Sequence, residues 1–327
     1  MARRFDWLIN SPYNARMRTA LVHSPEYLKH DTRRHPENAR RLEAITVALQ
    51  ADEQLWNSLR KLPPRSAEDT DITRCHSAEL IDHVHTLCER GVPFVDIDTA
   101  ICPESLEVAR LGAGAALIAV DEVMSGSSAN VFALVRPPGH HATAGRAMGF
   151  CLLNNAAIAA RYAQNTYSVE RVLIIDWDVH HGNGTQDIFY DDPTVFYFST
   201  HQYPYYPGTG SAGETGEAKG EGFNLNIPLS QGTAAKSHRE AFSEALREIE
   251  SRFAPDLIVI SAGFDSRRGD PLGGLMLEDK DFAEMTKEVL DLADRHAGGR
   301  VVSVLEGGYN LQTLGETIRT HLAALAS

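Results

Sequence analysis

The sequence predicts an α/β domain in which helices cover both faces of a mostly parallel central sheet, giving three layers. Three observations support this fold class. Short runs of β-branched and aromatic residues recur along the chain. Segments with helical periodicity fill most of the intervals between these runs. The most unusual residues of the chain directly follow the runs, as expected where strands end at a ligand site.

Strands and helices are predicted alternately along the chain. The first strand is ALVH at 20–23, and a helix follows it at 36–50. The remaining predicted strands are VFALV (131–135), RVLIID (171–176), TVFYFS (194–199), DLIVIS (256–261) and RVVSVL (300–305). Helical spacing of apolar residues predicts the other helices at 105–124, 154–163, 234–253, 279–297 and 311–326. Strands that alternate with helices in this way usually pair in parallel, because each crossover returns the chain to the same end of the sheet.

Length and composition predict one domain. The 327 residues are 43% apolar and contain no biased tract, so the chain can bury one large core. No linker, composition break or internal repeat divides it, and we expect a single domain over residues 1–327. Residues 1 to about 17 are rich in Arg and lack clear periodicity. Both an arm that packs on another subunit of a homo-oligomer and a frayed terminus fit this segment.

Composition and charge argue against several classes of function. No apolar run approaches the roughly 18 to 20 residues that cross a bilayer, and Met1–Asn10 lacks a secretory signal. We therefore expect a cytoplasmic protein without a membrane partner. A net charge of −13 disfavours nucleic acid and favours cationic ligands such as lysine-rich peptides or polyamines. The four cysteines have no metal-ligand spacing and are expected to be reduced, mostly buried thiols.

Polar, glycine-rich segments follow five of the predicted strands. In chain order they read RPPGHH, DWDVHHGNG, STH, AGFDSRRGD and EGGYN. Ligands of open parallel sheets bind beyond the carboxyl ends of the strands, so these segments should converge on one site. The stretch 201–222 is rich in Gly, Pro and Tyr and has no periodicity. We place this long loop at the rim of the site.

Asp178, His180 and Asp265 form a candidate metal site. Asp178 and His180 supply an oxygen and a nitrogen ligand two residues apart, and Asp265 adds a second carboxylate from another strand end. Three mixed ligands leave positions open for water and a substrate carbonyl, as in catalytic zinc sites. Each acid alone would more often cap a helix or form an ion pair. The neighbouring motifs favour the metal site.

The tandem pair His140 and His141 follows a stiff Pro-Pro-Gly turn, which can fix the direction of both imidazoles. One imidazole suits a general base for an attacking water, and the other can hold charge beside it. Asp176 and Asn183 are candidate partners. A carboxylate stabilises an imidazolium and an amide leaves its partner less basic, so the two histidines should differ in proton affinity. The spacing does not say which partner belongs to which histidine.

The segment Glu306-Gly307-Gly308-Tyr309 ends the last predicted strand. Its glycines allow close backbone approach, and the Tyr309 hydroxyl can be aimed at the site. A phenol in this place can donate a hydrogen bond to an oxyanion that develops on the substrate. A tyrosine packed over the start of a helix would give the same pattern.

Six motifs together resemble the histone deacetylase family. In chain order they are RPPGHHA (136–142), GFCLLNN (149–155), IDWDVHHGNGTQ (175–186), YPGTG (206–210), SAGFDSRRGDPLGG (261–274) and LEGGYN (305–310). The resemblance extends from HPENARR at 35–41 to the final helix. HHGNG, RGDPLGG and the Trp between the two acids are more similar to class II than to class I, as in bacterial histone deacetylase-like amidohydrolases. The resemblance implies the arginase-deacetylase α/β sandwich.

The same resemblance implies catalytic roles. Zn²⁺, or Fe²⁺ in some settings, would bind Asp178, His180 and Asp265. The general base and acid would be His141, with Asn183 behind it. The electrostatic partner would be His140, with Asp176 behind it. The carbonyl-polarising group would be Tyr309.

Substrate and potassium sites are also implied by the resemblance. A narrow tunnel would admit the acylated side chain, lined by Gly149, Phe150, Tyr206 and Gly307, with Leu272 at its mouth. Asp98 would grip the substrate backbone at the rim. A structural K⁺ would be bound, partly through carbonyls, by Asp176, Asp178, His180, Ser199 and Thr200. Tyr206 departs from the usual Phe, and its extra hydroxyl would need a partner if it were buried.

These features predict a zinc-dependent amidohydrolase that removes acetyl or other acyl groups from the ε-amine of lysine or a related amine. An acetylpolyamine amidohydrolase would share the chemistry, but Leu272 is apolar where polyamine-specific class II relatives have Glu. An arginase-like binuclear hydrolase would need bridging carboxylates that Trp177 and Val179 do not supply. A non-catalytic acyl-lysine reader would be expected to have lost a ligand, His141 or Tyr309, and all are present.

Overall fold

One parallel sheet organises the part of the chain that the structure, a computed structural model, describes, residues 19–327. The predicted N-terminal arm, residues 1 to about 17, lies outside the described residues. The sheet has eight strands in the order β2-β1-β3-β8-β7-β4-β5-β6, and every neighbouring pair is parallel. The strands are β1 (Ala20–Val22), β2 (Arg60–Leu62), β3 (Asn130–Ala133), β4 (Val172–Asp176), β5 (Val195–Gln202), β6 (Asn224–Leu229), β7 (Leu257–Ala262) and β8 (Val301–Leu305).

Helices cover both faces of this sheet. They are α1 (Arg40–Ala51), α2 (Glu53–Ser58), α3 (Asp69–Ile72), α4 (Ala78–Glu89), α5 (Ser105–Met124), α6 (Asn155–Tyr167), α7 (Asn183–Phe189), α8 (Ala235–Arg252), α9 (Asp279–His296) and α10 (Leu314–Leu325). In one layer α1, α10, α9 and α8 pack side by side, and in the other α5 packs on α4 and α6. The α/β sandwich predicted from the sequence is confirmed, and its sheet is parallel throughout the described residues.

The central strands are buried along their whole length. Every side chain of β4, β7 and β8 is buried, which explains their nearly continuous apolar sequences, because helices cover the sheet from both sides. The register aligns the strand ends, since Asp176 of β4 pairs with Ser199 of β5 and with Ser261 of β7. The segments that follow these strands therefore start at the same level.

Two edge strands were not among the six predicted from the sequence. β2 reads Arg-Lys-Leu and is largely exposed, and β6 is half-buried and contains Pro228. Proline is tolerated at a sheet edge because no neighbour needs its missing N–H. The prediction of only six strands was therefore incomplete at the edges. The helices α2, α3, α4 and α7 were likewise not predicted.

The strand order brings the unusual segments together. The neighbours β3, β8, β7 and β4 carry at their carboxyl ends the histidine pair, the Glu-Gly-Gly-Tyr segment, Asp265 and the Asp-x-His segment, respectively. The four cysteines are free, and Cys102 is the one of them that is not buried. Among residues 19–327, no helix combines the length and apolar character that a bilayer crossing requires.

Candidate active site

The metal-site candidates lie directly beyond β4 and β7. Side chains alternate after the end of β4, so Asp178 and His180 face the site while Trp177 points into the core, 6.2 Å from the ring of Phe242. One potential ligand atom from each of Asp178, His180 and Asp265 lies within 4.8 Å of the others, and all three residues are buried. The structure thus brings the three predicted ligands together.

Backbone N–H groups hold both carboxylates of this triad. The N–H of Gly307 donates to Oδ2 of Asp178 at 2.9 Å, and the N–H of Val179 donates to Oδ1 of Asp265 at 2.8 Å. Nδ1 of His180 lies 3.0 Å from Oδ1 of Asp178 and 3.2 Å from Oδ2 of Asp265. Oδ2 of Asp265 is buried without a hydrogen-bond partner in the described chain. An unpaired buried carboxylate oxygen fits a bound cation.

The electrostatics of the triad also favour a cation. Burial, together with the nearby charge of Asp178, raises the pKa of Asp265 to about 7. Burial by itself would lower the pKa of His180, but the two neighbouring carboxylates outweigh burial and raise it to about 10. Two carboxylates in one buried pocket thus stabilise any positive charge placed between them.

The two histidines after β3 have different partners. Nδ1 of His140 lies 3.0 Å from Oδ2 of Asp176, whereas Nδ1 of His141 lies 2.8 Å from Oδ1 of Asn183. Burial opposes the charged form of His140, but Asp176 and Asp178 outweigh it and raise its pKa to about 10. Burial, then the charges of His140 and His180, hold the pKa of His141 well below its usual value. His141 is therefore the member that is free to accept a proton at neutral pH.

A buried carboxylate, Glu306, holds the turn that carries this pair. Its Oε2 accepts the N–H of Gly139 at 2.6 Å and that of His140 at 3.1 Å, and its Oε1 accepts the hydroxyl of Ser261 at 2.8 Å. Burial raises the pKa of Glu306 to about 7 despite the opposing charge of His140. The end of β8 thus fixes the direction of the histidines at the end of β3.

Tyr309 follows β8 at the same end of the sheet and is buried, with 8% of its surface exposed. Its N–H donates to Oδ2 of Asp270 at 2.7 Å, and the guanidinium of Arg41 lies 4.8 Å from its ring centre. Arg41 also donates from Nε to the carbonyl of Gly308 at 2.7 Å. A Cβ on Gly307 would lie 2.2 Å from Oδ2 of Asp265, so glycine is required where the backbone passes the ligands.

Aromatic rings from two segments form the wall above the triad. The ring of Tyr206 lies edge-on to His141 at 5.1 Å, and the ring of Phe150 lies edge-on to Tyr309 at 5.8 Å. Gly149 has φ of +58°, and a Cβ there would lie 2.5 Å from Cδ2 of His141. The predicted tunnel residues therefore surround the histidine and the tyrosine.

The wall opens to solvent at Tyr206, which is 36% exposed. The expectation that its hydroxyl would need a protein partner does not apply to a ring that reaches the surface. Burial of the rest of the ring, with the charge of Asp98, raises the pKa of Tyr206. The neighbouring Tyr205 stacks on His180 with ring centres 5.5 Å apart, a contact that the sequence did not predict.

The rim loop 201–222 contributes these two tyrosines. Its first two residues extend β5, and a short 3₁₀ helix occupies Ala218–Gly220. The loop lies next to Leu272, the residue predicted at the mouth of the tunnel. The carbonyl of Leu272 lies 3.4 Å from the Tyr205 hydroxyl. The loop therefore lies at the rim of the site.

Asp98 lies on the connection between α4 and α5 and is partly exposed. The Thr99 hydroxyl donates to Oδ1 of Asp98 at 3.3 Å and accepts the N–H of Phe150 at 3.2 Å. This pair of contacts ties the rim position of Asp98 to the tunnel wall at Phe150.

The predicted potassium ligands lie between β4 and β5. Oγ of Ser199 lies 2.8 Å from Nδ1 of His201, and Oγ1 of Thr200 lies 3.0 Å from Nε2 of His238, so both side chains are already hydrogen-bonded. The carbonyls of Asp178 and His180 accept no hydrogen bond from residues 19–327. Backbone oxygens are therefore the groups left to bind a cation here.

Three residues of this site were missed by the sequence reasoning: Glu306, Asp270 and Arg41. Glu306 belongs to the Glu-Gly-Gly-Tyr segment, in which the predicted chemistry involves the glycines and the tyrosine. Asp270 follows the RRG turn, and Arg41 lies at the start of α1 among other arginines. The sequence shows an acid within each of two site motifs, but no pattern in it reveals the backbone N–H groups that Glu306 and Asp270 accept. Nothing in its segment distinguishes Arg41.

Comparisons with known proteins agree with this geometry. The sequence profile of the family described as "Histone deacetylase domain" matches residues 35–325. The histone deacetylase-like amidohydrolase of Pseudomonas aeruginosa is 42% identical over 278 residues, covering 84% of this chain and 72% of that protein. The probable deacetylase of Archaeoglobus fulgidus is 40% identical over 314 residues, covering 95% of this chain and 86% of that protein.

The fold is also found in a solved structure. The crystal structure of the HDA15 HD domain matches with a TM-score of 0.90 and 38% sequence identity, covering 94% of this chain and 88% of that one. Profile, relatives and fold agree over nearly the whole described chain. The chain therefore belongs to the histone deacetylase family, within the arginase-deacetylase superfamily, whose deacetylases and amidohydrolases act on acetylated amines.

Proposed function

We propose that this chain is a zinc-dependent amidohydrolase that removes acetyl or other acyl groups from the ε-amine of lysine or a related amine. The observation that carries the proposal is the convergence of Asp178, His180 and Asp265 in one buried cluster. His141 and Tyr309 lie beside that cluster, which a site for simple cation storage would not need. A non-catalytic reader of acyl-lysine would likewise not need a proton acceptor at this point.

The residues present fit Zn²⁺. Two carboxylates and one imidazole form an oxygen-nitrogen set of three, and Oδ2 of Asp265 is buried without a partner among the described residues. Zn²⁺, when bound, supplies a Lewis acid that polarises the amide carbonyl and makes the attacking water more acidic. The same mixed ligand set also accepts Fe²⁺.

His141 moves the proton in the proposed reaction. It is neutral at pH 7, since its pKa is lowered, and it can accept the proton that the water gives up as the new C–O bond forms. When the amide C–N bond breaks, His141 returns this proton to the departing nitrogen. The products are a carboxylic acid and a free amine. Transfer of the acid's proton to the amine gives a carboxylate and an ammonium ion, so atoms and charge balance.

Tyr309 and His140 stabilise the charges that develop. The Tyr309 hydroxyl donates to the oxyanion on the former carbonyl, and removing such a donor typically costs about 3 to 4 kcal/mol of transition-state stabilisation. His140, held by Asp176 and positively charged, lies with its ring centre 4.0 Å from that of His141. Its charge keeps His141 from holding the proton and so favours transfer to the leaving group.

A structural K⁺ between β4 and β5 is part of the proposal. The free carbonyls of Asp178 and His180 support it, with the backbone of Ser199 and Thr200 nearby. An ion there would stabilise the turn that carries the ligands.

The substrate is proposed to be an acylated lysine in a peptide or protein. Leu272 at the mouth presents an apolar group rather than a carboxylate to the part of the substrate outside the tunnel. The second candidate, an acylated polyamine, is favoured by a different observation: two partly exposed carboxylates, Asp96 and Asp98, lie at the rim. Their charge would attract a distal ammonium.

Two measurements test the proposal. Tyr309→Phe should lower kcat about 10²- to 10³-fold while KM changes little, since the lost hydrogen bond forms only in the transition state. Equal effects on kcat and KM would refute the oxyanion role.

With zinc loaded, kcat/KM should be higher for acetyl-lysine peptides than for acetylputrescine or acetylspermidine. A large preference for either polyamine would replace the lysine substrate by the second candidate.

A further inference from the structure

Asp270 is a buried acid that the proposed mechanism does not use. It lies in the segment after β7, five residues beyond Asp265, and is 7% exposed. We propose that Asp270 is a positioning residue that fixes the Tyr309 hydroxyl through the backbone. This inference rests on the proposed role of Tyr309 as the oxyanion donor.

The carboxylate of Asp270 joins two segments of the site. Its Oδ2 accepts the N–H of Tyr309 at 2.7 Å and the N–H of Asn310 at 3.0 Å. Its Oδ1 accepts the N–H of Leu272 at 2.9 Å. Hydrogen bonds to an ionised carboxylate are roughly twice as strong as those between neutral groups. One side chain therefore links the tyrosine to the mouth of the tunnel.

The two peptide units on either side of Tyr309 have few other attachments. Gly307 and Gly308 precede it and have no side chains to pack, and Gly308 has φ of +120°. Gly307 is held by Asp178 at its N–H and by the N–H of Phe264 at its carbonyl. The anchors next to Tyr309 itself are Asp270 on its N–H and Arg41 on the carbonyl of Gly308. The phenol hydroxyl is the far end of a long side chain, so a small backbone rotation displaces it by more than the backbone itself moves.

An asparagine cannot replace Asp270. All three hydrogen bonds require acceptors, and they use both carboxylate oxygens. The amide nitrogen of an asparagine at this position would have to face an N–H group, either that of Leu272 or those of Tyr309 and Asn310. Asp270→Asn should therefore loosen the turn while preserving the size of the side chain.

A double-mutant cycle with Tyr309→Phe tests the inference. Asp270→Asn alone should lower kcat by at least about tenfold, since a misplacement of 1 Å can cost about 10²-fold. In the Tyr309→Phe background the same substitution should lower kcat less than about threefold, because no hydroxyl remains to be misplaced. Asp270 also holds the N–H of Leu272 at the mouth of the tunnel. Any change of KM that Asp270→Asn causes through this contact should therefore be the same with and without Tyr309→Phe.

Matched controls separate positioning from general damage. Asp192 also accepts a backbone N–H, that of Thr194 at 2.8 Å. It precedes β5, so it lies at the amino-terminal ends of the strands, away from the site. Asp192→Asn should leave kcat unchanged, and Asp270→Asn should retain zinc. Crystal structures should show the Tyr309 hydroxyl displaced in Asp270→Asn and unmoved in Asp192→Asn. If Asp270→Asn does not fold, Asp270→Glu, which keeps the charge but shifts the carboxylate, replaces it in the cycle.

The outcomes are distinguishable. An equal fall of kcat in both backgrounds, or an unmoved Tyr309 hydroxyl, would overturn the positioning role of Asp270 while leaving Tyr309 as the oxyanion donor. If Tyr309→Phe by itself leaves kcat unchanged, the proposed function fails first, and the positioning inference fails with it.

Discussion

The floor and the rim of the site are built in different ways. On the floor, Asp178, Asp265 and Glu306 are fully buried, and each accepts at least one backbone N–H. At the rim, Tyr206 is 36% exposed and Asp98 is partly exposed. The groups that would carry out the chemistry are thus fixed by the sheet, whereas those that meet the substrate lie on loops.

This difference separates two kinds of effect. Buried polar groups with several partners tolerate little change, since an unsatisfied group costs about 1 to 3 kcal/mol. Half-exposed side chains on loops can change with smaller consequences. Substitutions on the floor should therefore change kcat or metal binding, and substitutions at the rim should change KM and substrate choice.

The largest effect is expected from loss of a metal ligand. Asp265→Ala leaves Asp178 and His180 as the remaining pair, and zinc content should fall at least ~10-fold together with loss of turnover. Atomic absorption and a deacylation assay measure both. Asp192→Ala, at the amino-terminal ends of the strands, is the control and should retain zinc. Stoichiometric zinc in Asp265→Ala would show that the ligand assignment is wrong.

An intermediate effect is expected at Glu306, which supports the histidine turn. Glu306→Ala leaves the buried N–H groups of Gly139 and His140 without their acceptor, so the turn loosens and we expect kcat to fall about tenfold or more. Ser261→Ala removes the other partner of Glu306 but keeps its contacts with Gly139 and His140, and kcat should change less than about threefold. Equal kcat values for the two variants would show that the contacts of Glu306 with this turn are not needed for turnover.

A smaller effect is expected at the rim. Tyr206→Ala removes the ring beside His141, and KM should rise by up to about tenfold with kcat nearly unchanged. Tyr206→Phe should stay within about twofold of the wild type, because the ring reaches solvent and its hydroxyl has no partner in the described chain. A fall of kcat in Tyr206→Ala that exceeds the rise of KM would contradict the division between floor and rim.

The smallest effect at neutral pH is expected at His76, which joins the segment after the histidine pair to the start of α6. Its Nδ1 lies 2.8 Å from the carbonyl of Thr143, and its Nε2 accepts the N–H of Asn154 at 2.9 Å. Burial lowers the pKa of His76 to about 4, although the bond to Thr143 opposes this. The unfolded chain therefore binds more protons than the folded one between pH 6.5 and about 4.

Stability should accordingly fall on acidification through that window, by up to about 3 kcal/mol from His76 alone. Urea unfolding at several pH values measures it. His76→Gln should flatten this dependence, and His83→Gln, on the exposed face of α4, should leave it unchanged. A pH slope that is the same in His76→Gln as in the wild type would exclude the contribution of His76.

The sheet could be predicted from sequence only where both faces are buried. Long apolar runs identify β4, β7 and β8 because helices cover them on both sides. β2 and β6 pair on one side only and contain Arg, Lys, Asn and Pro, so no apolar run marks them. By contrast, α4 has an N-cap at Ser77 and regularly spaced apolar residues, so its sequence contains a helix signal although the prediction lacks this helix.

The residues of the site also differ in how well the sequence predicts them. Asp178, His180 and the histidine pair are recognisable because residue type and short spacing reflect their chemistry. Asp270 and Glu306 act on backbone N–H groups distant in the chain, and any residue can supply such a partner. Their function therefore depends on the fold, and the sequence contains no matching pattern.

The proposed hydrolysis depends on a zinc ion bound by the buried triad of Asp178, His180 and Asp265. Protein stripped of metal by a chelator should regain hydrolysis of an acetyl-lysine peptide in proportion to added Zn²⁺, with a plateau at about one Zn²⁺ per chain. Asp265→Ala should regain none under the same titration. Full turnover by stripped wild-type protein, or recovery that continues well beyond one equivalent, would contradict the account.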